Sequence, residues 1–175
     1  MKKRARLMLI GSGITAAVMA LAESARQGAA EYFVGIAMNR ELPPYPARAQ
    51  RRLAGSSITE EVLEQVALSG SKLEAQPHEV VQIQSHDGIR LMGHWLPAAH
   101  PKRVVIAMHG WRSSWSRDFG MVAEFLAKND CSVLYAEQRG QNASSGNYMG
   151  FGMLERYDCL KWAQWANENN PDHLP

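Results

Sequence analysis

Two short apolar runs rich in β-branched residues constrain the fold of this 175-residue chain more than any other feature. They cover residues 104–108 and 132–136, and a segment with helical spacing, residues 118–129, separates them. Continuous apolar runs of this length are typical of strands buried on both faces of a parallel sheet. Strand, helix and strand in this order predict a parallel β-α-β unit. Ligands of such sheets lie at the carboxyl ends of the strands, so the residues after Met108 and Ala136 are the first candidates for a site.

The flanking segments extend this α/β pattern. Residues 80–84 alternate, Asp87-Gly88 supplies a turn, and residues 89–96 are extended again, which predicts a β-hairpin with a two-residue type I′ turn. Residues 153–169 predict a further helix. Upstream, a proline-rich stretch at 42–52 predicts a linker, and a short helix is expected to begin at Thr59 and to end at Ser69-Gly70. The predicted fold class is α/β, an opening hairpin followed by β-α-β-α.

The N-terminus carries a basic cluster followed by sixteen residues, 7–22, without a charge. A basic start, an apolar run and then Ala20-Leu21-Ala22 match the three parts of a secretory signal. Sixteen helical residues span about 24 Å, slightly less than a bilayer core. A cleaved signal peptide and a retained signal-anchor helix are both open. The anchor is preferred, and it predicts a single-pass protein of the cell membrane with its domain extracytoplasmic, or a secreted protein if the signal is cleaved.

Composition and cysteine usage narrow the remaining classes. A 46% hydrophobic and 21% charged chain with a net charge of +2 is neither disordered nor an expected nucleic-acid binder. Cys131 and Cys159 are too few for a disulfide framework and lack zinc-site spacing, so no metal is expected.

The segment Gly11-Ser12-Gly13, with Ala16 and Glu31, fits a dinucleotide-binding turn. No second βα unit follows it, which makes this third hypothesis weak, and no organic cofactor is expected.

The two candidate strands are followed by distinct polar segments. His109-Gly110-Trp111 follows the first strand, and the second is followed by a segment with Glu137, Arg139, Gly140 and Ser144. Residues 79–175 therefore resemble the α/β-hydrolase superfamily, especially the branch with serine aminopeptidases, lysophospholipase-like enzymes and small bacterial esterases. The first segment is similar to that branch's H-G-x loop, and the second to its D-x-R-G-x-G-x-S loop. Glu137 stands in place of the usual Asp, and Gln141-Asn142 in place of His-Gly.

The resemblance implies acyl-transfer chemistry. It assigns the backbone N–H of Trp111 as one donor of the oxyanion hole and His109 and Gly110 as the loop that aims it. It assigns Glu137, Arg139, Gly140 and Ser144 a structural role in the second loop. In the family the catalytic histidine comes late in the chain, so His109 is not expected to be the base.

A nucleophile is missing from these expectations. No serine in the sequence has glycine at both −2 and +2, as the nucleophile elbow requires. In the family the elbow, the acid and the histidine follow the helix at 153–169. The expected organisation is a signal anchor or signal peptide at 1–28, a linker and short helix at 29–78, and the N-terminal half of a hydrolase domain at 79–175.

That half-domain is expected to be inactive by itself and to leave residues 104–108 as an apolar sheet edge. The full-length protein is expected to act on a small-molecule or peptide substrate and to contact the membrane through its N-terminal helix. The alternative is a membrane-anchored binding module without enzymatic activity on the same scaffold.

Overall fold

Four strands form one mixed sheet: β1 (Glu79–Gln84), β2 (Arg90–Leu96), β3 (Arg103–Met108) and β4 (Cys131–Ala136). Their order is β1-β2-β4-β3, with β1 and β4 both antiparallel to β2, and β3 parallel to β4. The predicted hairpin and the predicted parallel pair are therefore confirmed. The computed structural model describes residues 2–41, 59–170 and 173–175, so the predicted linker at 42–52 lies outside the described residues.

The described helices are α1 (Lys2–Met38), α2 (Glu60–Glu74), α3 (Trp115–Lys128) and α4 (Glu155–Glu168). The chain divides into two compact units, Met1–Ala37 and Met38–Pro175. The first unit holds nearly all of α1, and the second holds the sheet and the other three helices. Among the helices in the described part of the chain, none is long and apolar enough to cross a membrane. The signal anchor predicted at residues 7–22 gains no support from this finding and stays a prediction.

Core residues cover both faces of the sheet, and β4 contributes to both. On one face Val133 and Tyr135 pack with Leu73 of α2 and with Trp115 of α3. On the other, Leu134 and Ala136 pack with Val81, Leu91 and Trp162. Successive strand residues point to opposite faces, so a strand flanked on both faces by helices and on both edges by strands is buried throughout. All six residues of β4 are indeed buried, as the sequence predicts.

Strand β3 lies at an edge of the described sheet, as expected for residues 104–108, and it is therefore less buried than its continuous apolar run predicts. Ala107 is its one fully buried residue, and its other apolar residues are half-buried. The reason is that β3 pairs with β4 along one side, whereas on its other side the described backbone contact is the Val104 N–H donating to the carbonyl of Pro175 at 2.9 Å.

The turn of the hairpin differs from the prediction. Gly88 has a φ of +83°, but Asp87 is not among the described residues with positive φ, so the turn is not type I′. Instead, the Ser85 N–H donates to Ile89 O at 2.8 Å and the Gly88 N–H donates to Ser85 O at 3.1 Å. Three residues therefore form the loop, with Gly88 in the left-handed conformation. The Asp87 carboxylate accepts a hydrogen bond from Arg139.

Two helix boundaries were also predicted wrongly. Helix α2 continues past Gly70 to Glu74, because Gly70 lets it pack closely against α3 rather than ending it. A Cβ on Gly120 of α3 would lie 2.6 Å from the Gly70 nitrogen. Helix α3 begins at Trp115, and its N-cap is Ser114, whose side chain accepts from the Arg117 N–H at 3.2 Å. Asp118 lies in the first turn of this helix but does not cap it, and its carboxylate has other partners.

Candidate functional site

The two predicted loops begin side by side. Met108 at the end of β3 pairs with Ala136 at the end of β4, so the next residues, His109 and Glu137, leave the same edge of the sheet. Both are buried, at 1% and 5% exposure. A parallel β-α-β unit thus positions both residues, and their burial restricts the first residue of each loop.

His109 is a fixed structural residue of its loop. Its Nε2 lies 3.2 Å from the backbone nitrogen of Gln138, which donates to it, and 3.2 Å from the Asn142 side-chain nitrogen. The Nδ1 lies 2.9 Å from Gly110 O. Since Nε2 accepts, the proton belongs on Nδ1, and the histidine has no free lone pair for base catalysis. The Gln138 side-chain amide also donates to His109 O.

Asp118 holds the turn that follows His109. Its carboxylate accepts from the Gly110 N–H at 2.6 Å and from the Ser113 hydroxyl. Hydrogen bonds to a carboxylate are shorter and stronger than neutral ones. The first turn of α3 therefore fixes the loop between Gly110 and Ser113, which contains Trp111.

Trp111 lies on the exposed part of this turn, with 51% of its surface accessible. The guanidinium of Arg112 lies 5.2 Å from its ring centroid, a cation–π distance. Arg112 has a left-handed φ of +50° and donates to the carbonyls of Asn39 at 2.5 Å and Arg40 at 3.1 Å. The turn is thus hydrogen-bonded to the segment at 39–40, a connection that no local sequence pattern predicts.

Glu137 bridges the second loop to β2. One carboxylate oxygen lies 2.9 Å from His94 Nε2, and the other accepts from the Ala143 N–H at 2.7 Å. Burial raises the pKa of Glu137, but the hydrogen bonds from His94 and from the Ala143 N–H together lower it by more. The pKa of Glu137 is therefore below its usual value. The Glu137 side chain thus connects β2 with the loop that follows β4.

Ser144 and Gly140 shape the same loop. Ser144 is fully buried; its hydroxyl donates to Glu137 O at 2.8 Å and accepts from the Met92 N–H at 2.9 Å. Gly140 has a φ of +67°, and a Cβ there would lie 2.7 Å from Tyr148 O. A residue with a side chain would therefore be strained and would also clash.

Arg139 clamps three elements with a buried guanidinium. Its Nε and one terminal nitrogen bind the two oxygens of Asp158 on α4, at 2.6 and 2.7 Å. It also donates to Asp87 in the hairpin turn at 2.8 Å and to Ser85 Oγ at 3.0 Å. The hydrogen bond from Arg139 lowers the pKa of Asp87 to about 2.

Both loops line one open polar cavity of about 240 Å³. Its lining residues are Arg40, Arg112, Ser113, Gly140, Gln141 and Asn142. No carboxylate of the described residues lines it, and two guanidinium groups do, so it favours a negative charge. Arg40 also donates to the carbonyls of Asn142 at 2.6 Å and Ser144 at 2.7 Å. Within the described ranges, no group of three His, Cys, Asp or Glu side chains is arranged to hold a metal ion.

The structure brings the seven predicted site residues to one edge of the sheet and adds partners that were not predicted from the sequence. The missed residues are Asp118, Asp158, His94, Ser85 and Arg40. One of them left a signal, because Asp158 lies four residues before Trp162 on the buried face of a helix. A carboxylate at such a position needs a partner, which here is Arg139. The other four have no comparable local pattern.

Solved structures resemble part of this chain. An esterase from Pyrococcus furiosus is 30% identical with a TM-score of 0.52, over 59% of this chain and 40% of the esterase. Another crystal form of it gives 28% and a TM-score of 0.50, over 59% and 38%. An α/β hydrolase from a Penicillium species is 21% identical with a TM-score of 0.49, over 54% and 33%. No family model and no curated protein matches the sequence.

The described sheet and its helices match part of the Pyrococcus esterase. This likeness supports the superfamily that the two loops indicate. The matched region spans about 40% of the length of the Pyrococcus esterase.

Proposed function

We propose that residues 79–175 form the N-terminal part of a serine hydrolase domain of the esterase type. The observation that carries this proposal is the His109-Gly110-Trp111 turn at the end of β3, held by Asp118 and Gln138. It stands beside the Arg139 loop at the end of the neighbouring parallel strand. The likeness to the Pyrococcus esterase supports the same reaction class.

In this proposal the backbone N–H of Trp111 is one of the two donors that stabilise the oxyanion. A serine attacks an ester or peptide-like carbonyl, and the charge that develops on the carbonyl oxygen meets fixed donors. Fixed donors cost no reorganisation during the reaction, which is why the rigid hold of Asp118 on the loop matters. His109 and Gly110 orient the turn. The second loop, which follows β4, holds it through the hydrogen bond from the Gln138 N–H to His109.

The chain by itself is proposed to be inactive. None of its serines has the glycine flanks of a nucleophile elbow. An acid and a base are also needed, and His109 is occupied by Gln138. These groups would be supplied by the rest of an esterase-type domain, and the substrate would be a small molecule or a peptide.

Two finer features belong to this proposal. The order of the two loop motifs favours the serine aminopeptidase and lysophospholipase branch. The basic cluster before residues 7–22 favours a membrane anchor with the domain extracytoplasmic.

Alkaline carbonate extraction of membranes that contain the full chain tests the anchor. The chain should stay in the membrane pellet, and a chain shortened to residues 29–175 should not. Release of both contradicts the anchor.

A chimera tests the enzymatic part of the proposal. Residues 79–175 replace the matching part of the Pyrococcus esterase, which supplies the remaining residues. We expect ester hydrolysis by the chimera. Trp111→Pro, which removes the N–H, should lower kcat by about 10²–10³ with KM little changed, because the donor acts in the transition state. Trp111→Phe keeps the N–H and is the matched control.

The outcomes separate the candidate functions. A folded chimera without activity, or Trp111→Pro activity within threefold of the parent chimera, contradicts the oxyanion role and favours the binding module. The 175-residue chain itself is treated with a fluorophosphonate and weighed intact by mass spectrometry. An adduct on one of its serines would contradict the proposed inactivity.

A further inference from the structure

The open cavity of about 240 Å³ between the two loops, which we call the loop cavity, is lined by a positive charge that the described residues do not neutralise. The guanidinium of Arg40 lines it and donates to three backbone carbonyls, those of Asn142 at 2.6 Å, Ser144 at 2.7 Å and Gly146 at 3.4 Å. A carbonyl oxygen is a neutral acceptor. These bonds therefore hold the guanidinium in place without cancelling its charge.

The carboxylates close to the loop cavity have other roles. Arg40 forms no ion pair with any residue that the structure describes. Glu41 lines a neighbouring cavity together with Arg40 but does not bind it. The carboxylate of Asp118 binds the Ser113 hydroxyl and does not itself line the loop cavity. Arg112 adds a second guanidinium to the wall.

Gln141 gives the same wall an unsatisfied polar group. Gln141 is 8% exposed, and its side-chain oxygen is buried without a hydrogen-bond partner among the described residues. Buried polar atoms are nearly always paired with protein, water or a ligand. The terminal torsion of glutamine is broad and roughly two-fold, so the amide can offer either its oxygen or its N–H groups to a bound molecule.

We propose that the loop cavity binds a carboxylate of the substrate, so that the hydrolase acts on esters with a carboxylate a few bonds away from the reacting carbonyl. This inference rests on the proposed function, because it uses the Trp111 N–H as the oxyanion donor. Arg112 and Ser113 follow Trp111 directly and both line the cavity. Since consecutive Cα atoms are about 3.8 Å apart, the wall begins within about 8 Å of the Trp111 Cα, a distance that a short chain of methylene groups spans.

The arrangement of charges favours a carboxylate over the alternatives. The planar fork of N–H donors on a guanidinium matches the two oxygens of a carboxylate. A phosphate dianion is less suited, because the backbone carbonyl oxygens bound to the guanidiniums of Arg40 and Arg112 oppose a second negative charge. A neutral ester gains no Coulomb energy from either guanidinium.

Binding to the 175-residue chain tests the cavity without requiring catalysis. The probes are monomethyl succinate and dimethyl succinate, because they differ by one methyl group and only the first is an anion at neutral pH. Titration followed by NMR measures both. We expect monomethyl succinate to bind at about millimolar concentration and dimethyl succinate at least about tenfold more weakly. Methyl phosphate should also bind more weakly than monomethyl succinate, and tighter binding of methyl phosphate would overturn the assignment of a carboxylate.

Three variants locate the binding. Arg40→Gln should weaken monomethyl succinate at least about fivefold and remove its advantage over dimethyl succinate. Arg103→Gln is the matched control, since it removes the same charge from an exposed residue at the opposite end of β3 from the loop cavity, and it should bind like the parent. Because Arg40 also holds the second loop, Arg112→Gln is a further variant and should weaken monomethyl succinate as well. Circular dichroism checks that each variant is folded.

The outcomes for the cavity and for the reaction are separate. Equal binding of the two succinates, or equal binding of monomethyl succinate by Arg40→Gln and Arg103→Gln, overturns the proposal. Carboxylate binding by the chain together with a folded but inactive chimera supports the binding site and contradicts the hydrolase reaction. An active chimera should hydrolyse monomethyl succinate with a KM at least about fivefold lower than that for dimethyl succinate. Equal KM values would overturn the role of the cavity in substrate selection.

Discussion

The carboxylate of Asp118 accepts a hydrogen bond from the peptide N–H of Gly110, with 2.6 Å between oxygen and nitrogen. The same carboxylate binds the Ser113 hydroxyl, so both ends of the turn around Trp111 are attached to one side chain on α3. Asp118 is therefore a positioning residue for this turn, although it lies outside the motif that identifies the loop.

Removing this carboxylate should loosen the turn. In Asp118→Ala we expect the Gly110 amide to exchange with solvent at least about tenfold faster, since a hydrogen bond to a charged group stabilises by about 1.5–3 kcal/mol. Hydrogen-exchange NMR measures this rate. Asp130→Ala is the control, because Asp130 pairs with the exposed Lys102 far from the turn in sequence. Equal Gly110 exchange in the parent and in Asp118→Ala would contradict the positioning role.

Replacing Arg139 by lysine should destabilise the second unit. Lysine keeps the charge but cannot bind both oxygens of Asp158, which would stay buried with fewer donors. Breaking a buried pair of this kind costs about 3 kcal/mol. Urea unfolding measures the change, and Arg117→Lys on the exposed surface of α3 should unfold like the parent. If the free energies of unfolding of Arg139→Lys and Arg117→Lys differ by less than about 0.5 kcal/mol, the stabilising role of the Arg139 contacts is contradicted.

The Asp87–Arg139 pair predicts how stability depends on pH. The pKa of Asp87 falls from 3.8 to about 2 on folding, so its contribution is fully present above pH 3.8 and is lost as the pH falls through about 2. Because the carboxylate is 34% exposed, solvent screening reduces this contribution to about 1 kcal/mol. Asp87→Asn should be less stable than the parent at pH 6, and the two free energies of unfolding should converge near pH 2. A gap that does not change with pH would contradict the assignment.

Two glycines with positive φ separate clash from backbone strain. Gly140 has a φ of +67° and a carbonyl 2.7 Å from a built Cβ, whereas Gly152 has a φ of +86° and nothing within 4 Å. Gly152→Ala should cost about 1–2 kcal/mol through strain alone. Gly140→Ala should cost clearly more, because the Tyr148 backbone must also move. Thermal unfolding of both variants checks the order, and equal losses would mean that the loop yields easily at Gly140.

The sheet could be predicted because its information is local. The apolar run at 132–136 becomes a strand buried on both faces, and the hairpin pairs as its alternation predicts. The apolar run of β3 alone predicts burial on both faces, but its residues are half-buried because β3 lies at an edge of the described sheet. The local pattern also fails at Gly70, which packs against α3 at Gly120 and does not end the helix. Neighbours distant in sequence decide both outcomes.

The candidate site shows the same division. The two loops could be located from the strands before them, and their motifs can be recognised in the sequence. The side chains that hold the loops could not be predicted, because each comes from another element. Asp158 lies 19 residues after Arg139, and Asp87 lies 52 residues before it. No periodicity links such positions, and only the folded backbone brings them together.

The distances along the chain between Arg139 and its partners bear on the order of folding. Its guanidinium cannot leave water before the hairpin turn and α4 both reach it, since an unpaired buried charge is costly. Contacts of long sequence separation form late and slow the search for the native state. We therefore expect the hairpin, the loop after β4 and α4 to acquire their final order in one concerted step, with the site assembled last and released first when the chain unfolds.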